Sequence, residues 1–213
     1  MKYYIAIDAG TSVIKTVIFN TNFKQINSYS VKNPVLTDKF GKSEIEMEKF
    51  WFLTAKCIKL LIKKSKIQSQ SIAGLGITGN MVGFWSISNK NKPVRNAILW
   101  NDTRSHKIFT NQNIFDQIYK ITGSIVQYGC TIPILKWMTK FEKENLKKIK
   151  YILTCKDWLR FNLTNEIYND ETEVSVFPGN IHKKTLSKKI FKIFNLNINY
   201  IKLFPKIKKS NDI

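Results

Sequence analysis

Residues 8 to 15 read DAGTSVIK and follow directly on the apolar run YYIAI. A glycine in a tight turn between strands lets the backbone approach a ligand closely, and the amides and hydroxyls of Gly10, Thr11 and Ser12 form a cradle of donors suited to phosphate oxygens. Asp8, at the strand end, can orient a water or a magnesium ion bridging such oxygens, and Lys15 adds a point charge. Taken alone, the stretch is more often plain turn chemistry. Two further stretches have the same character. In GITGNMVGFW, residues 76 to 85, two glycines bracket Asn80, Met81 and Val82 between apolar segments, at a strand end where α/β proteins hold ligands; an ordinary hairpin with a packed methionine is the plainer alternative. In ILWNDTR, residues 98 to 104, a buried strand delivers Trp100, Asn101, Asp102 and Arg104 together, which is costly unless those groups find partners. Trp100 can stack on a sugar ring while Asp102 accepts bonds from hydroxyls. The alternative is Asp102 as a helix cap with Arg104 as its ionic neighbour.

The elements that must position these residues follow from periodicity. Residues 3 to 7 and 13 to 19 alternate as two strands of a hairpin, and QINSYSVKNP makes a third, closed by Pro34. Residues 45 to 64 place Phe50, Leu53, Cys57, Leu60, Leu61 and Lys64 at helical spacing, with acids early and lysines late. SIAGLGIT and MVGFWSIS read as short strands, with a turn at Asn89 to Lys92 after them. VRNAILW is another apolar stretch. Helical patterns cover 105 to 120 and 134 to 148, and Leu159 to Thr164 ends a further helix. Three strands, then helix, strand, strand and helices, predict an α/β fold without simple alternation.

Composition narrows the classes. At 213 residues, with 43% hydrophobic and 13% aromatic residues, the chain can bury a real core. Cys57, Cys130 and Cys155 form no CxxC pair, so neither a disulfide framework nor a zinc signature is expected. The first apolar run is too short for a signal peptide and no stretch approaches a membrane span, which points to a soluble cytoplasmic protein. The formal charge of +20 invites an acidic partner. Only Arg95, Arg104 and Arg160 are arginines, however, whereas nucleic-acid recognition draws on the arginine fork. Lys, Asn and Ile share AT-rich codons, so a solvated lysine surface is the expectation, with neither nucleic acid nor membrane as partner. His106 and His182 lie in polar segments and read as surface residues.

In order, DAGTSVIK, GITGNM, AILWNDTR, GCTIPILKW (129 to 137) and CKDWLRFNLT (155 to 164), followed by Asn169-Asp170 and Ser175, run along essentially the whole chain. That series resembles the N-terminal domain of the FGGY carbohydrate kinases, and within them the xylulokinase-type sugar kinases. The resemblance implies an α/β, ribonuclease H-like (actin/hexokinase-type) domain with a mixed sheet flanked by helices, spanning residues 1 to 213. It implies ATP and Mg2+ as cofactors and a sugar or polyol as substrate, a xylulose-like ketose being favoured. Asp8 would act near metal and phosphates, Gly10, Thr11 and Ser12 would cradle the transferred phosphoryl group, and Lys15 would lie near the nucleotide. Met81, Val82, Trp100, Asn101 and Asp102 would line the sugar pocket. Xylulokinases usually carry Met-His where Met81-Val82 stands, so Val82 removes a hydrogen-bonding group and leaves the sugar open. The family's general base, an aspartate in a GGGDN-like stretch, belongs to a second, nucleotide-binding domain, and no GGGD occurs here. The expectation is an N-terminal half that is inactive alone and needs a separate or missing C-terminal domain; a homodimer is compatible with it. The rival expectation is a non-catalytic sugar-binding or regulatory module of the same family.

Overall fold

Alternation of apolar and polar residues makes the first strands, because successive side chains of an extended chain point to opposite faces. In the computed structural model, which describes residues 1–108, 114–175 and 178–210, the chain runs through β1 (Tyr3–Ala9), β2 (Val13–Asn20), β3 (Gln25–Lys32), β4 (Leu36–Thr37), β5 (Ser43–Ile45), α1 (Met47–Ser65), β6 (Ile72–Gly79), β7 (Trp85–Ile87) and β8 (Ala97–Ile98). It continues through α2 (Phe115–Thr122), α3 (Thr131–Phe141), α4 (Lys143–Lys148), β9 (Tyr151–Leu153), α5 (Cys155–Thr164), β10 (Asn169–Asp170), β11 (Gly179–Asn180), β12 (Thr185–Leu186), α6 (Lys188–Ile193) and β13 (Ile207–Lys208). Two units divide it: residues 1–35 with 46–80, and residues 36–45 with 81–213.

The first unit is a four-stranded mixed sheet in the order β3-β2-β1-β6, with one helix, α1. β1, β2 and β3 are antiparallel neighbours, and β6 runs parallel to β1 with Ala9 opposite Gly79. Ile5, Ile7, Ala9, Ile14, Thr16 and Ile18 are buried, while Tyr4, Ala6, Asp8 and Lys15 take the exposed positions of the same strands. α1 packs on β2 and β3 through Met47, Phe50, Thr54, Cys57 and Leu61. Thr16 and Cys57 meet at the seam, Oγ1 to Sγ at 3.3 Å, so the one hydroxyl in this strand's core has a partner. The helical face predicted from sequence is slightly rotated: Leu53 and Leu60 are only half-buried and Lys64 is exposed, while Thr54 takes a core place by bonding back to the Phe50 carbonyl at 2.9 Å.

The second unit buries a cluster around Phe84, Ile98, Ile118, Leu135, Met138, Ile152 and Phe191. β5 pairs antiparallel with β8, and β7 with β9. Residues 72 to 87 are therefore not a hairpin: β6 belongs to the first unit's sheet and β7 to a pair formed with a strand far along the chain. The turn at Asn89 to Lys92 is as expected, closed by Ser88 and Lys92 with Asn91 at φ 58°. Of the helix expected over 105 to 120, Arg104–Ile108 forms a 3-10 turn and Phe115–Thr122 an α-helix; 109–113 lie outside the described residues. α3 starts three residues earlier than the periodicity suggests. Pro133 is tolerated there because first-turn amides have no intrahelical acceptor to lose. The expected run to 148 breaks at Glu142 (φ −132°, ψ 48°), whose carboxylate is engaged by Arg95 at 2.8 Å and by Asn145 at 2.8 Å. Among the described residues no helix is long and apolar enough to cross a membrane.

Phe50 is fully buried and Phe52 is 63% exposed on the same helix. Phe50→Ala should destabilise the chain by about 3–5 kcal/mol in urea unfolding, whereas Phe52→Ala should shift it by less than about 0.5 kcal/mol.

Candidate functional site

The hairpin of the first unit is organised by a residue that sequence reasoning passed over. Asn33, just beyond β3 and 6% exposed, donates its side-chain amide to the carbonyls of Gly10 (3.3 Å) and Thr11 (2.8 Å), and its backbone amide to that of Ser12 (2.9 Å). All three turn carbonyls are thus held by one side chain and its own backbone. The negative ends of those peptide dipoles are compensated, and such a turn suits an anion better than a cation. The only sequence signal was an Asn immediately before Pro34, which Pro holds in extended geometry. Asn33 Oδ1 is itself buried without a hydrogen-bond partner among the described residues. Gly10 is required sterically, because a Cβ there would stand 2.8 Å from the Val13 carbonyl oxygen.

Asp8 lies one residue before the end of β1, in register with Lys15 on β2 and Thr78 on β6. It is exposed, and among the described residues no hydrogen bond or ion pair engages its carboxylate, not even from Lys15. Asn80 closes the parallel partner strand by donating its backbone amide to the Ala9 carbonyl at 3.0 Å, so β1 and β6 end together at their carboxyl ends. This is the edge of an open α/β sheet where ligands bind. Among the described residues no group of three or more metal-ligating side chains occurs. A single free carboxylate beside an anion-suited turn is the donor set magnesium uses when phosphates and waters complete its shell.

The sugar-pocket candidates lie in the second unit, on two segments joined by β8 and α3. Met81 is 54% exposed, and Val82 is buried at φ 55°, a left-handed conformation that a β-branched residue adopts only when its surroundings impose it. The imposition is visible: Phe84 and Ile98 exchange backbone bonds at 2.8 and 3.1 Å, and Thr131 at the start of α3 donates its hydroxyl to the Gly83 carbonyl at 2.7 Å. Gly129 packs so closely against the next segment that a Cβ would stand 2.0 Å from the Trp100 carbonyl oxygen. The chain turns at 99 to 102 through a bond from the Asp102 amide to the Leu99 carbonyl, leaving Trp100 44% exposed and Asn101 exposed.

Asp102 is different. It is completely buried, and its carboxylate accepts bonds from the Ser43 amide (2.8 Å), the Arg104 amide (3.0 Å) and the Arg104 guanidinium (2.7 and 2.8 Å). Its lone pairs are therefore engaged by protein donors, with Arg104 as its ionic neighbour. Arg104 also bonds Glu44 at 2.8 Å, and Glu44 pairs with Arg95 and with Lys42. Burial works against the charge on Glu44, yet Arg95, Arg104 and Lys42 hold its carboxyl below the usual range. Burial likewise opposes the Arg104 charge, and Asp102 and Glu44 overcome it, raising that guanidinium further. Glu44, Arg95 and Gly129 were not singled out from sequence; nothing local distinguishes them.

The model for the FGGY family of carbohydrate kinases, N-terminal domain, matches residues 3–213. A probable L-xylulose kinase of Haemophilus influenzae is 34% identical over 100% of this chain and 44% of its own length. A xylulose kinase of Bacillus subtilis is 34% identical over 82% of this chain and 36% of its own. The crystal structure of a xyloylose kinase from Brucella ovis superposes with a TM-score of 0.88 and 25% identity, covering 97% of this chain and 43% of that one. The chain spans less than half the length of these relatives.

Glu44→Gln leaves two guanidinium groups without their shared anion, and should cost about 3–5 kcal/mol at neutral pH. Because the folded-state pKa of Glu44 is depressed, its contribution is complete above the unfolded value and is lost as pH falls through the folded one. Denaturant unfolding should therefore show the gap between wild type and variant narrowing on acidification below that range.

Proposed function

Because the chain belongs to the FGGY family of carbohydrate kinases, we propose that it is the sugar- and phosphate-holding part of an ATP-dependent kinase whose acceptor is a xylulose-like ketose or a related polyol. The observation that carries this reading is the hairpin turn whose Gly10, Thr11 and Ser12 carbonyls are all bound by Asn33, next to the uncommitted carboxylate of Asp8. Phosphoryl transfer asks a protein mainly for positioning and charge stabilisation. Gly10, Thr11 and Ser12 hold phosphate oxygens through amides and hydroxyls, and Lys15 adds positive charge. Asp8 would hold a magnesium ion, which would offset the charge of the phosphate oxygens. Trp100 offers a flat face to the sugar and Asn101 a free side-chain amide to its hydroxyls. Met81 and the constrained Val82 shape the remaining wall. Asp102 acts by holding the 99–104 turn in place rather than by accepting sugar hydroxyls.

We place the general base and most of the nucleotide site outside these residues, in the portion of the relatives that this chain does not span. A second reading, a sugar-binding module without chemistry, shares the same pocket and is separated from the first by activity.

Two measurements test the proposal. In a thermal-shift panel of pentuloses, hexuloses and polyols, a xylulose should raise the melting temperature, a ligand at a hundredfold excess over its Kd adding about 2.7 kcal/mol. Trp100→Ala should abolish that shift, and stabilisation by no member of the panel would remove the pocket. The 213-residue chain alone should release no ADP from ATP in the presence of the stabilising sugar. Turnover by it, lost in Asp8→Asn, would overturn the placement of the base elsewhere.

A further inference from the structure

The second unit carries an open groove of about 530 Å³ whose lining includes none of Met81, Val82, Trp100 or Asn101. Four aromatic rings form its walls: Phe40, Tyr128, Trp137 and Phe141. Phe40 is 79% exposed and Phe141 51%, an unusual amount of bare aromatic surface to group in one place. Trp137 and Phe141, one turn apart on α3, are stacked at a tilt with centroids 5.5 Å apart. The Tyr128 and His106 rings meet edge to face, with centroids 4.9 Å apart.

The charge in the groove has one sign. Arg104, His106 and Lys107 line it, and no carboxylate does so among the described residues. The Arg104 guanidinium carbon stands over Trp137, 5.0 Å from the ring centre, and the same group is paired with Asp102 and Glu44, so its charge is compensated. Lys107 is exposed, and among the described residues no carboxylate pairs with it. Lys39 and Lys140 stand over Phe40 and Phe141, each 5.3 Å from the ring centre.

The volume falls in the range of small-molecule sites, about 300–1,000 Å³. Aromatic walls favour a flat π-surface, and uncompensated lysine at the rim favours an anion. A neutral sugar leaves the positive charge of Lys107 unanswered, whereas a phosphate meets it. We propose that the groove binds a nucleoside monophosphate, with the base stacked among Trp137, Phe141 and Tyr128 and the phosphate toward Lys107, His106 contributing a ring N–H. The lining shares no residue with the hairpin turn or with Trp100 and Asn101, and the proposal stands or falls independently of the kinase reading.

AMP titrated into the full chain, followed by tryptophan fluorescence and calorimetry, tests it. Saturable binding is expected, and Phe141→Ala and Lys107→Ala should each weaken it by about tenfold, the effect of losing one stacking ring or one phosphate contact. Both residues are exposed, so the variants should melt like the wild type. Trp137→Phe should keep calorimetric binding and lose most of the quenching. Adenosine should bind about tenfold more weakly, for want of a charge-assisted contact. Ribose 5-phosphate, lacking the base, should not saturate. Absence of saturation by about 5 mM AMP, or affinity unchanged in both groove variants, overturns the proposal. Binding lost in a Thr11→Ala/Ser12→Ala variant but kept in Phe141→Ala would assign the phosphate to the hairpin and also overturn it. An oligodeoxyadenylate that binds more tightly than AMP and needs Phe141 would give the groove to single-stranded nucleic acid instead.

Discussion

A carboxylate that is 3% exposed keeps its charge only if cations and donors are brought to it, and Glu44 gathers Arg95, Arg104, Lys42 and the Asn96 amide. Those partners lie as far as 60 residues away in sequence. By pairing with Arg104, Glu44 fixes the cation that saturates Asp102, and Asp102 in turn bonds the Ser43 amide next to Glu44 itself. The closed ring of bonds ties β5 to the 99–104 turn, so Trp100 and Asn101 are presented from a backbone with little freedom to move. Arg95 extends the same network to Glu142, where α3 ends.

The first unit solves a smaller problem with neutral groups. Asn33 satisfies three carbonyls of a turn too tight to satisfy them itself, and this leaves the turn's character as a set of donors. No charge is buried to achieve it. Asp8 remains uncommitted one residue before the strand end, available to a metal or to water. The contrast with Asp102 is instructive: both aspartates sit in motif positions, and their opposite availability comes from what surrounds them.

All three arginines are committed to ion pairs with carboxylates, Arg160 with the buried Asp157. Lysine therefore supplies the exposed positive charge. Arginine's planar fork can serve two carboxylates at once from a partly buried position, whereas a lysine ammonium is best left hydrated. The large net charge is accordingly a property of the surface, and in the cationic aromatic groove it meets a cavity lined by rings.

The alternation of β1 and β2, the amphipathic α1, and the order of the motifs were legible in the sequence because each depends on neighbours a few residues away. That local information sufficed for the mixed α/β fold of the family. Tertiary structure alone decided that β6 and β7 enter different sheets, that Asn33 holds the carbonyls of the 10–12 turn, and that Asp102 gives its lone pairs to Arg104 and Ser43. Strand partners and the free or bound state of a carboxylate are set by groups that arrive from tens of residues away, and no window of the chain contains them.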